Sequence, residues 1–197
     1  MQRRIPRQSA KEQDCRHPAA ADDARLSDEL AAVVSGARRR AVRDGDRQID
    51  TAHLLHSLLE HDRDVYAVFG DGPQIARLLG YLVQRTIGYG LRWQGAVEDS
   101  GAVPVVRDGE GYSPLAASAM EDACRRAARR GDARAGGIDL LAAIVADPQA
   151  RAVEVLARAG IDANELLARI DARSGERRDE RRDEWRDEYA ADGETAR

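Results

Sequence analysis

Gln48-Ile49-Asp50-Thr51-Ala52-His53-Leu54-Leu55-His56-Ser57-Leu58-Leu59 decides the fold. Asp50 or Thr51 can cap a helix, because their side-chain oxygens accept the N–H groups that a first helical turn leaves unpaired. Behind the cap, Leu54, Leu55, Leu58 and Leu59 fall at three/four spacing and predict one buried stripe. The stretch belongs to a larger unit that occurs again, more loosely, 86 residues later.

Working outward, Ser27 is expected to cap an earlier helix with Asp28 and Glu29 in its first turn, where acidic groups favour the helix dipole. Leu30, Val33, Val34, Ala37 and Ala41 would be its buried stripe and Gly45 its end. A short helix at Asp64–Phe69 and another from Pro73 to about Ile87, striped by Ile75, Leu78, Leu79, Leu82 and Val83, complete the first half. The Gly-rich stretch 88–111 predicts a surface linker, pinned by Val103, Val105 and Val106. Ser113-Pro114 then restarts the pattern with a cap and a proline at the first helical position, and Gly131 ends that helix. Helices at Ile138–Ala146 and 149–159 follow, with a stop at Gly160. Asp162-Ala163-Asn164-Glu165 is a capping-box signal.

At an offset of 86, Ser27 meets Ser113, Ala37 meets Ala123 and Arg39-Arg40-Ala41 meets Arg125-Arg126-Ala127. Gly45-Asp46 meets Gly131-Asp132, and Leu54-Leu55 meets Leu140-Leu141. Two halves of about four helices each, burying their stripes together, predict an all-α, pseudo-twofold domain. The boundaries are repeat one 26–87, linker 88–111 and repeat two 112–171, within a domain 25–171. Residues 1–24 lack an apolar stripe and are read as a disordered tail. From 172, Arg-Arg-Asp-Glu repeats make a solvated, partly helical tail that stacks like charges at i,i+4.

Composition narrows the function. The 197 residues carry a net charge of −4, with Lys11 the only lysine, which argues against a nucleic-acid binder. The clusters Arg38-Arg39-Arg40 and Arg125-Arg126…Arg129-Arg130 read as solvated helix faces. Aromatic residues are 4% of the chain, and the apolar ones are mainly Ala, Leu and Val, which suits packed helices. Cys15 and Cys124 form no disulfide framework, so a reducing cytoplasm is expected. No stretch is apolar enough for a membrane span, and no signal peptide is evident. His53, His56 and His61 match no metal-ligand spacing, so no metal or other cofactor is expected. No nucleophile–base–acid set is visible. Ser113 is explained by its cap and Cys124 as a small helix-face residue.

The paired motifs resemble the N-terminal repeat domain of the Clp/Hsp100 unfoldases, in particular the ClpC type of actinobacteria. Each family repeat opens on aromatic-Thr-x-x-Ala, passes a Gly-His/Asp turn and reads Ile-Gly-Thr-Glu-His-Leu-Leu-Leu-Gly-Leu. Here the first repeat has Leu26-Ser27, Gly45-Asp46 and Ile49-Asp50-Thr51-Ala52-His53-Leu54-Leu55. The second has Tyr112-Ser113-Pro114, Gly131-Asp132 and Gly137-Ile138-Asp139-Leu140-Leu141. The resemblance covers about residues 26–171.

It implies a non-catalytic domain that recruits substrates and adaptor proteins to an ATP-driven ring feeding a protease. No Gly-x-x-x-x-Gly-Lys-Ser/Thr phosphate loop occurs, so the chain resembles a free-standing recruitment domain, adaptor or decoy. Some family members bind phosphoarginine through the Glu of Thr-Glu-His and the Thr near each repeat start. Ser27 and Ser113 keep a hydroxyl there, but Ala52 and Ile138 replace the glutamates, which implies weak or no phosphoarginine binding. The family also docks cyclic-peptide antibiotics near the start of repeat two, where this chain has Tyr112, Pro114, Met120, Glu121 and Cys124. Sequestration of such compounds, competition with the unfoldase for adaptors, and a peptidase activity of the chain's own are the functions to be separated.

Overall fold

The computed structural model describes residues 25–70, 72–86, 98 and 111–175. The expected N-terminal tail, most of the linker with its valines, and the charged tail from 176 lie outside the described residues.

Seven helices are bounded as α1 Asp28–Asp44, α2 Thr51–His61, α3 Arg63–Phe69, α4 Pro73–Thr86, α5 Pro114–Arg130, α6 Gly137–Ala146 and α7 Arg151–Ala159. An eighth, α8, runs over 163–175, four residues past the boundary drawn at 171. No strand occurs among the described residues, and the fold is all-α.

The starts and stops follow the local chemistry. Ser27 caps α1 through a bond from Leu30 N–H, and Ser113 caps α5 through one from Ala116 N–H, both at 3.1 Å. Pro114 stands at the first helical position of α5. Gly45 and Gly131 close α1 and α5 at φ of 74° and 80°, a left-handed conformation that only glycine adopts without strain. Asp50, rather than Thr51, caps α2.

The helix of the deciding stretch is the hub. α2 packs against α1 and against each of α3 to α7. Its burial is wider than the leucine stripe, since Ala52, His53, His56 and Ser57 are buried with the leucines over the whole of 51–59. Leu54, Leu55 and Leu58 are completely enclosed, each contributing about 1.5–3 kcal/mol by leaving water. Helix α4 departs from its expected stripe. Val83 is 52% exposed, because α4 packs mainly on α7 and Val83 lies a further 100° round the helix from buried Leu82.

The halves exchange contacts. Residue 26 bridges residue 135, and residue 49 bridges residue 112, so that adding 86 to 26 and 49 gives the partner of the other. Ser27 N–H donates to the Ala135 carbonyl at 2.9 Å and Ser113 N–H to the Ile49 carbonyl at 2.8 Å. The start of each half is thus hydrogen-bonded to the loop before the second helix of the other half. Helix α4 of the first half packs on α7 of the second, and Arg169 on α8 reaches the Val68 carbonyl on α3 at 3.3 Å. Neither half encloses its core alone, and one continuous apolar cluster runs through both.

Candidate functional site

Two places on the seam between the halves gather polar groups. One is closed and the other is open.

The closed one centres on Glu98, which is buried at 3% exposure. Its Oε2 accepts from Thr51 N–H at 2.9 Å and from the Ser113 hydroxyl at 2.6 Å. Its Oε1 accepts from Arg151 N–H at 2.7 Å and from the Thr51 hydroxyl. The surface position expected for the whole linker does not hold at this residue. Thr51 and Arg151 are the first residues of α2 and α7, so two helix N-termini face one carboxylate. The Thr51 hydroxyl in turn accepts from Ala152 N–H at 3.1 Å. Beside them Arg151 extends its guanidinium to Asp50 Oδ2 at 2.8 Å.

Asp50 and His53 form a reciprocal cap. Asp50 Oδ1 accepts from His53 N–H at 2.9 Å, and His53 Nδ1 accepts from Asp50 N–H at 3.1 Å. His53 is buried, at 2% exposure. Its Nε2 faces Asp46 at 3.3 Å and Asp44 at 3.6 Å. Asp46, Asp50 and His53 cluster closely, but one Asp50 oxygen already serves the cap and the other accepts from the Arg151 guanidinium.

The open place is a cleft of about 650 Å3 at the start of α6, lined by Ser27, Asp62, Arg130, Arg134, Gly137 and Asp139 among others. Five carboxylates and three guanidiniums line it, so it is no simple phosphate cradle. A Cβ at Gly137 would meet the Asp62 carboxylate that lies over the α6 start, so a larger residue there has to displace that side chain. Buried Asp139 accepts from Gly136 N–H at 3.1 Å and from both terminal nitrogens of Arg130, one at 2.7 Å. These hydrogen bonds raise the Arg130 pKa further above its ordinary value. Arg126 joins Asp171 on α8, and Arg40 joins Glu60 across α1 and α2. The arginine runs are therefore only partly solvated faces. Arg38, Arg39, Arg125 and Arg129 are exposed, while Arg40, Arg126 and Arg130 tie helices together.

The residues expected at a ligand site are divided by the structure. Ser27 lines the cleft, whereas Ser113 is 1% exposed with its hydroxyl turned to Glu98. Tyr112 is half-buried at its bridge to Ile49, and Pro114 is half-buried at the start of α5. Met120 and Cys124, one turn apart, pack half-buried against the core, and Glu121 is exposed beside Arg125 at 3.5 Å. None of these five lines the cleft. Ala52 is fully enclosed, and Ile138 sits on the cleft wall. Glu98 was missed because its four donors are distant in sequence. Its one local sign was an acid in a Gly-rich stretch, which reads equally as solvated.

Two expected results arise from this geometry. Ser27→Ala should cost about 1 kcal/mol, the worth of a cap, while Ser113→Ala should cost about 2–3 kcal/mol because it also strips a donor from a buried carboxylate. Urea denaturation of the two variants measures the difference. The second concerns His56, which is 6% exposed. Burial, then the charge of Arg40, lowers its pKa to about 4. The fold therefore favours neutral His56, and its contribution is complete above the ordinary histidine value near 6.5. It is lost as pH falls from there through about 4. Between pH 7 and pH 5 this site should cost about 2 kcal/mol, a pH dependence that His56→Leu should flatten.

No family model matches the chain, and no curated protein matches it. Among solved structures it is similar to the crystal structure of the N-terminal domain of the caseinolytic protease associated chaperone ClpD from Arabidopsis thaliana. The two share 21% identity with a TM-score of 0.55, over 77% of this chain and 95% of that one. The fold is that of a Clp N-terminal domain. No helix among the described residues is long and apolar enough to cross a membrane.

Proposed function

We propose that the chain is a non-catalytic protein- and peptide-binding domain of Clp proteolysis, recruiting substrates or adaptors or competing with an unfoldase for them in the cytoplasm. The observation that carries this is the fold, which matches nearly the whole length of a domain from a protease-associated chaperone. The paired caps and turns at an offset of 86 support the same reading. Two surfaces fit binding. One is the charged cleft at the α6 start, and the other is the α5 region, with Tyr112 just before the helix and Pro114, Met120, Glu121 and Cys124 on it.

Phosphoarginine binding is expected to be weak. Ala52 and Ile138 supply no carboxylate for a guanidinium, and Ser113 is already engaged. Tight saturable heat on titration with free phosphoarginine would overturn that. Tyr112, just before α5, is the aromatic anchor for cyclic peptides. An unchanged melting temperature with saturating cyclic peptide would count against a sequestering role. Peptidase activity is disfavoured because the Ser113 hydroxyl both caps α5 and bonds Glu98. Cleavage of a fluorogenic peptide by the pure chain, lost on changing Ser113 or Cys124, would revive it. The function itself is tested by affinity capture with the full chain. A Clp unfoldase, its adaptor or a known Clp substrate should be retained, and retention of none of them contradicts the proposal.

A further inference from the structure

The seam around Glu98 has the makings of a receptor. Among the described residues, every group hydrogen-bonded to the carboxylate is a donor: two main-chain N–H groups and two hydroxyls. They divide two to each oxygen, matching the shape and acceptor capacity of a carboxylate. Both hydroxyls are oriented independently of Glu98. The Ser113 hydroxyl accepts from Ala116 N–H at 3.1 Å and the Thr51 hydroxyl from Ala152 N–H at 3.1 Å, which leaves each proton for the anion. Thr51 and Ser113 are each 1% exposed, so the hydroxyls have no recourse to water. The donors sit at the starts of three helices from both halves, 47, 15 and 53 positions from Glu98. Glu98 itself belongs to none of these helices. The neighbouring guanidinium of Arg151 donates to Asp50, and the contacts that the described residues make to the Glu98 carboxylate are hydrogen bonds at helix N-termini. The other half has no equal, because Gly137 stands where Thr51 would be and brings no hydroxyl.

We infer that this is a carboxylate-binding site whose occupant is the chain's own Glu98, and that a small free carboxylate takes the same place once that side chain is removed. The two halves are then inequivalent. Of the two seam sites, the one at α2 is internally filled and the cleft at α6 is open.

The test compares melting of the full-length chain and its Glu98→Ala variant at pH 7 in 100 mM sodium acetate and in 100 mM sodium chloride, with acetamide as the neutral isostere. Glu98→Ala should melt well below the parent in chloride and gain about 2–4 °C in acetate, as a site filled at tens of millimolar would give. The parent should gain nothing, acetamide should not substitute, and Thr51→Val in the Glu98→Ala background should abolish the gain. An equal response of parent and variant to acetate, or equal rescue by acetamide, overturns the site. If Glu98→Ala does not fold in chloride, recovery of its helical circular dichroism in acetate is the readout, and no recovery is equally decisive. Glu98→Gln keeps the shape and loses the charge. Its urea midpoint should fall and stay indifferent to acetate, and an unchanged midpoint also overturns the assignment.

Discussion

Thr51→Val should destabilise the protein by about 3 kcal/mol although it preserves the shape of the side chain. The hydroxyl is 1% exposed and does two things at once, donating to Glu98 and accepting from Ala152 N–H. A methyl group in its place leaves a main-chain N–H without its acceptor and a buried carboxylate short of one donor, each costing about 1–3 kcal/mol. No cavity is made, so packing loss does not explain the effect. Thr51→Ser, which keeps the hydroxyl and sheds a methyl, should cost about 1 kcal/mol. Urea midpoints with unchanged m-values measure both. A double-mutant cycle with Glu98→Ala should show coupling of at least about 1 kcal/mol, because the two side chains share one network. A loss for Thr51→Val no greater than for Thr51→Ser would mean the network contributes nothing.

Asp139→Ala is expected to cost a similar amount, about 3 kcal/mol, for a different reason. Asp139 is 2% exposed and serves as both cap acceptor and counter-ion, taking Gly136 N–H at 3.1 Å and the Arg130 guanidinium. Removing it leaves Arg130 partly buried, with the Asp132 carboxylate at 2.9 Å and with Arg126 close by. Breaking one side of such a pair is worse than replacing both, so Arg130→Met with Asp139→Leu should be less destabilising than Asp139→Ala alone. Asp139→Asn, which keeps an acceptor for Gly136, should fall between. Guanidinium denaturation of the three variants gives the order, and equal stability of Asp139→Ala and the parent would contradict it. Because Arg130, Asp139 and Gly136 line the open cleft, the same variants should also weaken any partner bound there.

Local rules made most of the helices legible. Ser27, Ser113-Pro114, Gly45, Gly131 and Gly160 act within one turn of themselves, and each stands where a start or stop was expected. The all-α class followed from these and from the leucine stripe of α2. What could not be read depends on chain meeting chain. Val83 continues a periodic pattern and is exposed, because periodicity does not say how wide a face the neighbouring helix covers. Arg130 and Asp139 lie nine positions apart across a turn, so the arginine run looked merely solvated. Glu98 meets partners up to 53 positions away, and no local signal distinguishes it from an acid in a loop. The two bridges, Leu26 to Ala135 and Ile49 to Tyr112, cross between halves, which an offset of 86 could suggest only as equivalence and not as contact.

The central claim is that this fold serves recruitment in Clp proteolysis. Its most direct measurement is equilibrium binding of the purified full-length chain to a purified Clp unfoldase and, separately, to its adaptors, with competition between the chain and the unfoldase for each adaptor. The account predicts saturable binding to at least one of them, weakened by Asp139→Ala or by changes at Tyr112 and Met120, and no peptide cleavage by the chain alone. Absence of binding to unfoldase and adaptors alike, or turnover of a peptide by the pure chain, would contradict it.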